Sequence, residues 1–210
     1  MAKETDERKR THLRLVVNNP EKRNPRPSGC EDDFIALEEL VARRDEIRPI
    51  FYRDMDRATE KAYRVIERFL SRKGWPYGLD PNHGKPVVIP AAAACPGTLS
   101  SGMDPRDELL LFIMEDAAGE GVCLSMEMIL PFYSEDESVM EDALLYSPVF
   151  QYGALFIEEN RHDGLLDLVY RFGFPLYPPA LTGRILERLF RLAAHEMSDA
   201  LQGLNEYPET

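Results

Sequence analysis

Apolar residues are sparse over positions 1–30, where only Leu13 to Val17 form a run. Polar sequence rich in Arg, Asn and Pro buries too little surface to offset the entropy of ordering it. Residues 1–30 are therefore expected to be a mostly disordered arm, in which Leu13 to Val17 could add an edge strand. Helical spacing begins next. A helix is predicted over Asp32 to Ile47, with acids at its start and Arg43 and Arg44 near its end, as the helix dipole favours. Pro49 is expected to interrupt it. A second helix, from about Ile50 to Lys73, carries Phe51, Met55, Ala58, Ala62, Val65, Ile66, Phe69 and Leu70 on one stripe, with Gly74 as its stop.

The pattern then shortens to that of strands. Val87 to Ile89 lies between Pro86 and Pro90, which suggests a sheet edge or a strand terminus. Ala91 to Pro105 reads as a loop. The segments DELLLFIMED and GVCLSMEMILPF are separated only by Ala117 to Glu120, a link too short to cross a sheet, so Asp107 to Phe132 is predicted to form an antiparallel hairpin. Leu109, Leu111 and Ile113 face one way and Leu110, Phe112 and Met114 the other. On the partner strand, Val122, Leu124, Met126, Met128 and Leu130 oppose Cys123, Ser125, Glu127 and Ile129. The first strand is apolar on both faces, so helices are expected on one side and a second cover over part of the other.

Ser134 to Glu137 fits a capping box ahead of a short helix through Leu145, ended by Pro148. Strands Tyr152 to Glu158 and Leu165 to Phe174 follow as another hairpin. A last helix begins near Thr182, with Ile185, Leu186, Leu189, Phe190, Ala193, Met197, Ala200, Leu201 and Leu204 on one side. Arg184, Arg188, Arg191, His195 and Gln202 occupy the other, as on a solvated face. The fold class is α+β: an antiparallel five-stranded sheet flanked by helices in the order α-β-β-β-α-β-β-α. The divisions are a basic arm (1–30), a helical extension (31–48), the α+β domain (49–205) and a tail (206–210).

Charge narrows the partners. The chain has 37 acidic and 25 basic side chains, a net charge of −12, yet the arm is +4. A surface this acidic repels nucleic acid and anionic membranes, so no membrane is expected and nucleic acid is disfavoured, with the basic arm 1–30 its one candidate. Three cysteines without a C-x-x-C pair, no apolar signal-peptide core and no run long enough for a membrane span point to a reduced, cytoplasmic protein without structural zinc.

No catalytic constellation emerges. His195-Glu196-Met197-Ser198-Asp199 places Asp where a zinc-protease signature needs its second His. Gly84-Lys85 lacks the P-loop spacing, and Ser100 and Ser101 are not centred in G-x-S-x-G. His162-Asp163 belongs to turn chemistry. Glu135, Asp136, Glu137, Glu141 and Asp142 suit a helix N-terminus and lack the D-x-D-x-D-G calcium loop. The expectation is no enzyme, no metal and no cofactor.

The segment SPVFQYGALFIEENRHDGLLDLVYRFGFP, followed by the amphipathic LTGRILERLFRLAAHEMSDALQGL, and a helix ending in GWPY before the first strand carry a resemblance. Over about 150 residues the chain resembles the type III secretion chaperone-like fold, shared by secretion chaperones and the YbjN family of sensory-transduction regulators. The arm through about residue 48 and the 91–105 loop depart from that pattern. The resemblance implies a non-catalytic, chaperone- or adaptor-like homodimer that binds a polypeptide client through apolar sheet or helix surfaces. A regulator of signalling or transcription is the alternative, and an enzyme of unrecognised type a third. Self-association is placed on Met140, Leu144, Tyr152 and Phe156, which ordinary core packing would also explain.

Overall fold

Leu111 lies at the middle of a row that crosses six strands, and this row defines the inner face of the sheet. In the computed structural model, Leu79, Val87, Leu111, Met126, Phe172 and Gly153 stand side by side. The structure describes residues 14–15, 35–82, 84–94, 108–115, 121–134, 137–145, 150–159, 165–176 and 181–205. The strands are β1 (Arg14–Leu15), β2 (Gly78–Leu79), β3 (Val87–Pro90), β4 (Glu108–Glu115), β5 (Val122–Ser134), β6 (Gly153–Glu159) and β7 (Leu166–Leu176). All pairings are antiparallel, in the order β2-β3-β4-β5-β7-β6, with β1 on β5. The predicted α+β class and both predicted hairpins are present.

The strand count differs from five. Gly78–Leu79 is too short to show a period, yet it pairs with Val87 and Val88, so β3 lies inside the sheet. Pro90 ends β3. Arg14–Leu15, within the run noted as a possible edge strand, pairs with Phe132 and Tyr133. The remaining arm lies outside the described residues. The β5–β7 register shifts between Ile129 and Tyr133, around Pro131, which has no amide to give a ladder.

The helices are α1 (Leu37–Ala42), α2 (Arg44–Phe51), α3 (Arg57–Lys73), α4 (Ala91–Ala94), α5 (Glu137–Leu144) and α6 (Gly183–Asn205). The predicted interruption moves from Pro49 to residues 52–56. Pro49 is accommodated inside α2, where the missing amide forfeits one intrahelical bond. The chain breaks where Asp54 takes a φ of 62°. Asp56 then caps α3 by accepting the Ala58 and Thr59 amides at 2.7 and 3.0 Å. Hydrogen bonds from Thr59 and the backbone hold the Asp56 carboxyl below its ordinary range. At the other end Gly74, with a φ of 70°, stops α3 as predicted. Ala91–Ala94, read as loop, is a helical turn with Ala91 and Ala94 buried.

The inner face carries the core. Ile66 and Leu70 of α3 and Leu186, Met197 and Leu201 of α6 are buried in one cluster with Leu109, Leu111, Leu124 and Met126. Phe69 stacks on Phe190 at 5.6 Å, and Trp75 meets both edge-on. The outward-pointing basic positions of α6, including His195, are exposed as expected. The predicted second cover is α1. A Cβ at Gly78 would come to 2.4 Å from Leu40 Cβ, so Leu40 lies over the outer side of β2, whose Gly78 pairs with the buried Val88.

Candidate interaction surface

Among the described residues, the outer face is open from β4 to β6. Its central row, neighbour to the Leu111 row, is Gly78, Val88, Leu110, Glu127, Arg171 and Ala154. Strand alternation fixes what flanks it: Phe112 and Met114 on β4, Cys123, Ser125 and Ile129 on β5, and Phe156 on β6. Met114 is 47% exposed, Ile129 56% and Phe156 38%. Ile129, Val169 and Phe156 are direct cross-strand neighbours. The two exposed side chains bracket Val169, which is itself buried.

An ion ladder runs through this apolar field. Arg171 Nε donates to Glu127 Oε1 at 2.7 Å and its Nη2 to Glu158 Oε1 at 3.3 Å. The guanidinium lies 4.6 Å from the Phe156 ring centroid. Its fork is thus oriented by two carboxylates and one aromatic face. Such a surface can cover apolar side chains of another molecule and fix their register by charge. On this face Ser125 Oγ donates to Glu127 Oε1 at 3.3 Å, with Ser125 itself buried.

The predicted association residues are not gathered in one patch. Met140 is fully buried, Leu144 and Tyr152 are partly buried, and Phe156 presents to the outer face. Tyr152 packs toward Phe172 and Phe174 of the core. Alternation places Met114 and Ile129 on the face opposite the main core stripe, and their exposure, which depends on tertiary cover, makes them part of the candidate surface.

Two carboxylates on the helical side gather polar partners around them. Glu67, buried on α3, accepts Arg48 Nε and Nη2 at 3.2 and 3.0 Å and the Tyr77 hydroxyl at 3.2 Å. It also accepts the Tyr52 hydroxyl. Burial, together with this bond to Glu67, holds the Tyr52 phenol far above its ordinary range, so it stays protonated. Glu196, inside the near-match to the zinc signature, points away from His195. Its Oε1 accepts the Gln151 and Tyr152 amides at 2.8 and 2.9 Å, and its Oε2 the Tyr170 hydroxyl at 2.7 Å. His195 meets Asp199 at 3.5 Å on the exposed side.

Among the described residues, no group of three or more His, Cys, Asp or Glu is placed to hold a metal ion. No helix among them is long and apolar enough to cross a membrane. His83, His162, Asp163, Ser100, Ser101, Glu135 and Asp136 lie outside the described residues, as do Cys30 and Cys95. The Ser134–Glu137 cap likewise rests on residues whose side chains are not described.

No protein-family model matches the chain, and no curated protein does. Among solved structures, the chain is similar to YbjN from E. coli, a proposed transcription regulator. The similarity covers 67% of this chain and 88% of that one, at 11% identity and a TM-score of 0.46.

Proposed function

We propose that this protein is a non-catalytic, chaperone- or adaptor-like binding module that acts as a homodimer and holds a polypeptide client. The observation that carries this reading is the outer sheet face, where Met114, Ile129 and Phe156 stand exposed around the Glu127–Arg171–Glu158 ladder. Apolar side chains on a rigid sheet face gain from being covered by a partner, and the ladder would orient that partner through charge. Client side chains would lie over Met114 and Ile129. Self-association would use the α5–β6 side, with Leu144, Tyr152 and Phe156 near the contact and Met140 supporting them from within.

Native mass spectrometry on the untagged protein, isolated from its own cells, tests this. The expected species is a dimer retaining a second polypeptide. Ile129→Lys combined with Met114→Lys releases the client while preserving the dimer, and Phe156→Lys weakens the dimer. A bare monomer overturns the reading.

A further inference from the structure

We propose that the cleft between α3 and the start of α6 binds an acidic polypeptide segment in extended form. This surface lies on the helical side of the sheet and is independent of the outer-face reading. In a chain of net charge −12, the cleft is lined by Arg48, Arg64, Arg68 and Arg72, with Glu67 as the one acid among the described residues. Glu67 is buried and already engaged by Arg48, Tyr52 and Tyr77. The opening therefore presents positive charge.

The arginines divide into two kinds. Arg48 is held by Asp45 and Glu67, and Arg64 reaches Glu60 while lying over the Tyr52 ring. Arg68 and Arg72 make no ion pair among the described residues. Each turns its Nε back to its own helix, Arg68 to the Arg64 carbonyl at 3.0 Å and Arg72 to the Arg68 carbonyl at 3.3 Å. Among the described residues, no carboxylate meets their terminal nitrogens. Arg72 also packs against the opposite wall, since a Cβ at Gly183 would come to 2.5 Å from its Nη2.

The spacing selects the ligand class. Arg64, Arg68 and Arg72 recur every fourth residue of a helix, about 6 Å apart along its axis. Alternate side chains of an extended polypeptide repeat at roughly 6.6 Å. Acids at alternate positions could thus meet successive guanidiniums. A single phosphate needs donors converging on one point, and the back-bonded Nε atoms hold these donors apart. Nucleic acid would bring a dense negative charge against an acidic protein. Val65 and Leu181 add apolar wall on which a peptide's remaining side chains can rest.

The test is fluorescence anisotropy with the full chain and a labelled peptide of alternating Glu and Ser, about twelve residues long so as to span the row. Its Lys–Ser counterpart, a single-stranded oligothymidylate of equal length and inorganic phosphate complete the set. The expected result is saturable binding of the Glu–Ser peptide, weakened by salt and weakened at least about tenfold by R68E/R72E. R188E/R191E, an equal charge change outside the cleft, should leave it within about twofold. R68Q/R72Q gives the same direction should the reversal impair folding. No saturable binding, equal binding by R68E/R72E, tighter binding of oligothymidylate, or displacement by phosphate at concentrations matching the peptide's would each overturn the proposal.

Discussion

Tyr63 stands in for a missing rung between β3 and β4 by accepting the Ile113 amide at 3.0 Å. The register that pairs Val87 with Leu111 would next bring residue 85 opposite Ile113. Lys85 instead has a φ of 58° and leaves the ladder. The Tyr63 hydroxyl fills the gap, donating to the Lys85 carbonyl at 2.8 Å. One side chain of α3 thereby satisfies the backbone of two strand segments.

Tyr63→Phe removes that bridge while keeping the ring. It leaves a buried amide and a carbonyl without their partner, which destabilises by about 1–3 kcal/mol. Urea denaturation of the variant should show a lower midpoint with an unchanged slope.

Burial pushes the Tyr63 phenol up to about 12, partly offset by the Ile113 amide. A phenol raised above its unfolded value of about 10 favours folding fully below that pH. Its contribution falls as pH rises through 10 and is lost on passing the folded value. Stability measured by denaturation at successive alkaline pH should decline there, less steeply in Tyr63→Phe. Tyr52, also raised, contributes to the residual slope.

Glu196→Ala withdraws a carboxylate from two amides and one hydroxyl, which destabilises by on the order of 3 kcal/mol. Glu196→Gln retains an acceptor for the amides and offers a donor to the Tyr170 hydroxyl, so it should lose about a third as much. Thermal unfolding of both variants checks the order. Equal losses would mean that the carboxylate's charge, which Gln lacks, and not side-chain packing, which Gln keeps, ties α6 to the start of β6.

Gly153 has a different constraint. A Cβ there would lie 2.5 to 2.7 Å from the Tyr170 ring and hydroxyl. Gly153→Ala forces Tyr170 to shift and should cost about 1–3 kcal/mol. Pairing it with Tyr170→Phe would recover little, because the ring atoms clash as well as the hydroxyl.

Asp56→Ala removes the α3 cap and should destabilise by about 1 kcal/mol. Because the folded Asp56 carboxyl is depressed, its contribution is present above the unfolded value and lost as pH falls through the folded one. The deficit of Asp56→Ala relative to the parent should therefore shrink in acid, as read from denaturation midpoints.

Elements with a long repeat were legible in the sequence. The stripe of α6 and the two-sided apolar pattern of β4 specify burial many times over, so their faces read correctly. Gly78–Leu79 has no room for a period, and Ala91–Ala94 has no polar side from which to infer one. The break before α3 was misplaced because Pro49 is the conspicuous residue, while the event that matters is the left-handed turn at Asp54. Glu67 was hidden for a different reason. A charged residue amid a helical stripe reads as solvent-facing, and its burial depends on Arg48, Tyr52 and Tyr77 arriving from elsewhere. The outer face was visible as alternation, but which of its residues remain uncovered depends on how far α1 reaches.

The strand order also bears on how the chain reaches its native state. β4–β5 and β6–β7 are hairpins that can close locally, whereas β5–β7 joins residues as distant in sequence as Val122 and Leu176. Loop closure must precede that contact, so zipping the β5–β7 seam should limit the folding rate. Until it closes, each hairpin exposes its half of the inner row. Dilute refolding should outperform concentrated refolding, with the vulnerable species a chain whose two hairpins are formed but unmarried.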